Sequence, residues 1–282
     1  MSGTYQSNGV TLNYRDAGSG VPVVFLHPTP LDHDYWRMLI AILSEGGPST
    51  LRAIVPDLQG HGKSELSNSL PKGGFALVPD APVLNMYQLA LDVLALLDFL
   101  SVKEAVFAGC SIGGYVMLEL WRQASHRMRG LAFVCSKPQP DGEPALAKRA
   151  ANIAIARQSG VSALFDGMSQ SLIGATARQV HPAIVPELRA RMTLTTEAFV
   201  AVQAGLAVRL DSISTVSTMD APVLAIAGGE DTAVSTSDME AFKLAPGGCD
   251  FHQLPHAGHF AAYEQPRTIA SLMTPWLHRF YK

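Results

Sequence analysis

AVFAGCSIGGYVMLELW, residues 105–121, changes character twice over a short span. Ala105 to Ala108 are a continuous apolar run of strand length, and from Tyr115 onward the residues read as a helix. Between the two lies Gly109-Cys110-Ser111-Ile112-Gly113, a G-x-S-x-G pattern in strand, turn, helix order. A serine on so sharp a turn takes a strained backbone conformation. It is exposed there only if Gly109 and Gly113 carry no side chain to hold the strand and helix apart. The competing reading is a glycine-rich turn with an incidental serine, and the rest of the chain has to decide between them.

Runs of the same strand type flank this segment: VPVVFL at 21–26, LRAIVPD at 51–57, LAFVC at 131–135 and PVLAIAGG at 222–229. Unbroken apolar runs separated by helix-length segments predict an α/β protein with a mostly parallel sheet covered on both faces. NMYQLALDVLALLDFL, 85–100, places Leu89, Val93, Leu96, Leu97 and Leu100 at helical spacing with Asp92 and Asp98 between them, which predicts an amphipathic helix. The alternation lapses after about Lys137 and resumes near Ala221. In between, PALAKRAANIAIARQ, VSALFDGMSQSLI and PELRARMTLTTEAFVAVQAGL have helical character, with Pro138, Pro140, Pro144, Pro182 and Pro186 as breakers. This predicts a helical excursion that either covers the sheet or caps a substrate cavity. Residues 65–84, rich in proline and glycine, predict a surface loop.

A serine hydroxyl is a poor nucleophile until a base takes its proton, and the base needs an acid to hold its tautomer. Asp231 follows the 222–229 strand, where open α/β sheets keep their sites. His259 sits in the Gly-containing LPHAGHF segment ahead of the last helix, so the chain order is Ser111, Asp231, His259, as the motif requires. Glu230 competes with Asp231, and His256 with His259. Taken singly, Asp231 would be a helix N-cap and His259 a loop histidine bonded to backbone. The developing oxyanion needs two N–H donors. Ile112, next to the nucleophile, supplies one. The other belongs to the loop His27-Pro28-Thr29-Pro30, where proline has no N–H and Thr29 alone among residues 28–30 can donate.

Composition narrows the alternatives. The 282 residues are 48% hydrophobic and 16% charged, which suits a buried core and excludes a disordered chain. A formal charge of −3 without a basic run argues against nucleic acid as a partner. Cys110, Cys135 and Cys249 are too few for a disulfide framework and have no CxxC spacing, and Cys110 is read as a small packing residue. His252, His256 and His259 lack the HExxH pattern, so no metal is expected. GHGKS at 60–64 resembles the end of a phosphate-binding loop, but Asp57 stands where its first glycine belongs, and no GxGxxG follows a strand. The N-terminal residues lack the pattern of a signal peptide and no apolar stretch is long enough to span a bilayer, so a soluble, cytoplasmic protein is expected.

With VVFLHPTPLDHDYW, IVPDLQGHGKS, VFAGCSIGGYVMLEL, PVLAIAGGEDTAV and LPHAGHFAAYEQP in view, the chain resembles the α/β-hydrolase superfamily over essentially its whole length. It is most similar to the 3-oxoadipate enol-lactonase-like esterases and lactonases and the cofactor-free haloperoxidases. The resemblance implies an eight-stranded, mostly parallel sheet with helices on both faces. The core would comprise residues 1–137 and 219–282, with a helical cap, 138–218, inserted after the sixth strand. It further implies Ser111 as nucleophile, Asp231 as acid, His259 as base, and Thr29 and Ile112 as oxyanion donors. The expected activity is cleavage of a small carboxylic ester or lactone, without cofactor, through an acyl-enzyme; the alternatives are a biosynthetic thioesterase or lyase on the same triad, or a ligand receptor of the same fold with slow or no turnover. Leu164, Phe165, Met168, Leu172, Met192 and Phe199 hint at an apolar substrate part or form the cap's own core. The family usually has His-Gly where this chain has His27-Pro28, so an altered oxyanion loop is expected, and the 65–84 loop, longer than usual, is expected to lean over the cavity.

Overall fold

The computed structural model describes residues 2–45 and 51–281; the remainder of the expected core range, 1, 46–50 and 282, lies outside it. Eight strands form one sheet in the order β1-β2-β4-β3-β5-β6-β7-β8. In chain order they are β1 Ser2–Ser7, β2 Val10–Gly18, β3 Val21–Leu26, β4 Leu51–Pro56, β5 Ala105–Cys110, β6 Met128–Val134, β7 Val223–Gly228 and β8 Cys249–Leu254. The β1–β2 and β2–β4 pairings are antiparallel and all others parallel. Every residue of β5 and β7 is buried, so both faces of the central sheet are covered, as continuous apolar strands require.

Twelve helices accompany the sheet among the described residues. Those of the first half are α1 Arg37–Leu43, α2 Met86–Phe99 and α3 Ile112–Ala124. Between β6 and β7 come α4 Glu143–Ser159, α5 Ser162–Ser171, α6 Ala175–Val180, α7 Ile184–Ala190, α8 Thr196–Ala207 and the short α9 Ile213–Val216. The chain ends with α10 Thr236–Met239, α11 Ala261–Glu264 and α12 Pro266–Leu277. None is long and apolar enough to cross a membrane.

The α2 helix starts where its side chains dictate: Asn85 is the N-cap, its side chain accepting from the Gln88 N–H. Leu89, Val93, Leu96 and Leu97 face the core as spaced. Asp92 does not follow that pattern. It is buried, accepting from the Ser7 hydroxyl at 2.6 Å, Gln59 Nε2 at 2.9 Å and Gln88 Nε2 at 3.0 Å, and its partners replace the water that burial removes. The excursion differs from expectation in another way: Pro144 and Pro186 lie inside the first turns of α4 and α7. A helix's first N–H groups have no intrahelical partner, so proline is tolerated there and does not break the helix.

The segment at 65–84 contains no helix or strand, only the isolated Lys72–Pro82 bridge. Much of it is exposed, as expected of a surface loop, but it is anchored at several points. Phe75, Ala81, Val83 and Leu84 are buried, Leu84 N–H donates to Ala201 O in α8 at 3.1 Å, and Asp80 pairs with Arg157 of α4. This loop joins the core to the excursion.

Candidate active site

Parallel register brings the site together. Leu26 lies beside Gly109, Cys110 beside Val134, Val134 beside Ile226, and Gly228 beside Leu254. The loops after these strands therefore open at one carboxyl edge of the sheet, the place where such folds hold ligands. Ser111 stands there between β5 and α3 with φ 51° and ψ −118°, in a region that residues with a β-carbon rarely adopt. Its flanking glycines are needed for lack of room: a β-carbon on Gly113 would lie 2.2 Å from Leu26 O, and one on Gly109 would lie 2.6 Å from the Gly113 carbonyl carbon. Ser136, after β6, donates its hydroxyl to Ser111 O at 3.0 Å and braces the turn.

Asp231 and His259 are joined by a 2.8 Å bond between Oδ2 and Nδ1. Both side chains are buried, at 0% and 4% exposed. Burial alone would raise the Asp231 carboxyl, but the His259 ring and the Ala233 and Val234 N–H groups outweigh it and hold the acid below the ordinary carboxylate range. An ionised carboxylate can only accept, so Nδ1 carries the proton and Nε2 is left as the acceptor. The remaining oxygen, Oδ1, accepts Ala233 N–H at 2.7 Å and Val234 N–H at 3.0 Å. The side chain thus also serves the local turn, but it is not the helix N-cap considered for it: that position belongs to Ser235, whose side chain accepts from Asp238 N–H. Glu230 turns the other way, to Thr176 N–H at 2.8 Å and the Thr176 hydroxyl at 2.5 Å. His256 is exposed, 3.8 Å from Glu230. The Cys110 thiol reaches His259 O at 3.6 Å, which sets the histidine loop against the turn that carries Ser111. No hydrogen bond links Ser111 Oγ to His259 Nε2 among the described residues; such catalytic bonds often tighten only with substrate in place.

The loop after β3 is locked by two neutral histidines. Burial pulls the His27 pKa down to about 4 and the His61 pKa to about 3. His27 Nε2 accepts Leu58 N–H at 3.0 Å, leaving Nδ1 to donate to Pro28 O. His61 Nδ1 donates to Gln59 O at 3.1 Å, so its Nε2 accepts from the Thr29 hydroxyl at 3.0 Å. Beneath them Asp57 is fully buried and takes four donors, from His33, Asn13 and Lys63. With its hydroxyl committed to His61, Thr29 has its N–H to offer. Neither that N–H nor that of Ile112 has a partner among the described residues. Thr29→Ala is therefore expected to orphan a buried acceptor and lower stability by about 1–3 kcal/mol, while kcat stays within about tenfold of wild type. Chemical denaturation and steady-state kinetics on one preparation separate the two effects. The GHGKS resemblance at 60–64 gave no hint of the roles of Asp57 and His61. The available cue was Asp57, a strong hydrogen-bonding side chain directly after the buried strand β4, with His61 four residues further on.

The model of the alpha/beta hydrolase family matches residues 23–272. A non-heme chloroperoxidase of Streptomyces lividans is 36% identical over 111 residues, covering 38% of this chain and 34% of its own. Among solved structures, a thermophilic esterase from Thermogutta terrifontis superposes with a TM-score of 0.85 at 26% identity, over 99% of this chain and 97% of that one. The enol-lactonase of Burkholderia xenovorans LB400 shares the fold with a TM-score of 0.84 at 23% identity, over 98% and 100%. With the eight-stranded sheet and the turn at Ser111, the family match over most of its length makes this chain a member of the alpha/beta hydrolase family.

Proposed function

We propose that the protein is a serine hydrolase that cleaves a small carboxylic ester or lactone through an acyl-enzyme. The observation that carries this reading is the 2.8 Å Asp231–His259 bond, which fixes the tautomer a general base needs, on a loop packed against the Ser111 turn. Ser111 Oγ attacks the substrate carbonyl as His259 Nε2 takes its proton. The carbonyl oxygen becomes an anion facing the N–H groups of Ile112 and Thr29. His259 returns the proton to the departing alkoxide, and water repeats the sequence to release the acid. Residues 138–218 act as a cap over the core formed by 1–137 and 219–282. Phe165, Met192 and Phe199 are buried, with Phe165 and Phe199 in edge contact, so they support the cap's own core. Leu172, whose carbonyl accepts from His259 N–H, is better placed to meet an apolar substrate group. The protein is taken to work on small molecules in the cytoplasm.

The test is incubation with p-nitrophenyl acetate and butyrate alongside labelling by a fluorophosphonate. Turnover of either ester, with label recovered on Ser111, is expected. Label on Cys110, or neither turnover nor label, overturns the reading.

A further inference from the structure

The Gly258–His259 loop is held by its backbone, and each of its four polar groups can be followed to a partner. Gly258 O accepts from the Cys135 thiol at 3.5 Å and His259 O from the Cys110 thiol at 3.6 Å, both weak donors. The two N–H groups have stronger acceptors. His259 N–H donates to Leu172 O at 2.8 Å, and Gly258 N–H donates to Glu264 Oε2, also at 2.8 Å.

That same Glu264 oxygen accepts Gly174 N–H at 3.1 Å. One carboxylate oxygen thus ties the loop of the proposed base to the cap, two residues beyond Leu172. The backbones it joins are in contact, since a β-carbon on Gly258 would lie 2.2 Å from Gly174 N. The other oxygen, Oε1, is buried with no partner among the described residues, an unfavourable placement that the folded protein retains. The loop of the proposed acid is fastened to the same strip. Thr232 donates its hydroxyl to Ser171 O at 2.9 Å, and Glu230 accepts from Thr176.

We propose that Glu264 is a positioning residue for His259: its Oε2 fixes the Gly258–His259 loop against the cap and thereby aims the imidazole at Ser111. The proposal rests on the serine-hydrolase reading. Imidazole direction matters because misplacing a catalytic group by about 1 Å can lower the rate by about 10²-fold.

Three variants separate this role from plain structural support. Glu264→Gln keeps a carbonyl oxygen able to accept both N–H groups. Glu264→Asp keeps the charge but is one methylene too short to span them, and Glu264→Ala removes the acceptor. Each is measured for kcat and KM on p-nitrophenyl butyrate per fluorophosphonate-titrated site, and for its labelling rate at Ser111, so that misfolded protein drops out. Glu264→Gln is expected to stay within about threefold of wild type in both rates. Glu264→Asp and Glu264→Ala are expected to lose about 30- to 100-fold in kcat and labelling rate, with KM nearly unchanged. Should Glu264→Ala not fold, the ranking of Gln above Asp decides. Wild-type rates per titrated site in the Asp variant, or a loss in the Gln variant as large as in the Asp variant, would overturn the proposal. Failure of the hydrolase reading shows separately, as wild-type protein that takes no label at Ser111, and it removes this proposal with it.

Discussion

Ser111→Ala is expected to lower kcat by about 10⁴- to 10⁶-fold, the range seen when a nucleophile that acts in concert with its base is removed. The residual rate would come from binding and from the proposed oxyanion donors, which the substitution leaves in place. The fold should persist. The Ser111 hydroxyl makes no hydrogen bond among the described residues, the turn is braced through its carbonyl by Ser136, and alanine suffers the same backbone strain at φ 51° that serine does. An unchanged melting temperature with activity at the detection limit is the predicted pair of measurements. A variant that retains more than a tenth of wild-type kcat would remove Ser111 from the mechanism.

Asp231→Asn should follow closely, with a loss in kcat of about 10⁴-fold. The asparagine oxygen can keep the bonds to Ala233 and Val234 N–H, which leaves the NH₂ group facing His259. That group donates, so His259 Nδ1 must accept and the ring proton moves to Nε2, where it blocks removal of the serine proton. Nitrogen-15 NMR of the imidazole should show the exchange of tautomers directly. Glu230→Gln is expected to leave kcat within about tenfold of wild type, because Glu230 faces Thr176 and His256; the opposite ranking would transfer the acid role to it. Asp231→Asn also alters acid stability. Because the Asp231 carboxyl is held below its ordinary range in the folded state, its contribution is complete above the unfolded value of about 3.9. That contribution is lost as pH falls through the lower folded value. Thermal melts of Asp231→Asn should lack this component of the decline below about pH 4.

The strands easiest to read in the sequence were those buried on both faces. Residues 21–26 match β3 end to end, and 51–57, 105–109, 131–135 and 222–229 fall within three residues of β4, β5, β6 and β7. Continuous apolar character suffices there because both sides of each strand meet helices. The edges were harder. β1 and β2 carry polar residues on an exposed face; their clearest mark is Asn8-Gly9, with φ 48° and 78°, the pair favoured in a two-residue hairpin turn. Most of β8 is only partly buried and has no comparable mark. Within the site, Asp231 and His259 could be paired from chain order because the motif prescribes it. The Asp92 cluster, the His61–Thr29 bond and the Glu264 bridge could not. Each joins residues far apart in sequence through polar side chains, and no periodicity records such contacts. The prolines of α4 and α7 misled for a simpler reason: a proline in a first turn and a proline in a loop look alike until the helix start is known.

The left-handed backbone at Ser111 has a consequence for anyone improving this protein. Glycine alone occupies that conformation without penalty, so a library screened only for heat resistance would be drawn toward Ser111→Gly, a survivor that melts later and lacks the hydroxyl proposed as the nucleophile. Selection for endurance and selection for turnover pull in opposite directions at this one codon, and a useful screen would have to apply both pressures in the same round.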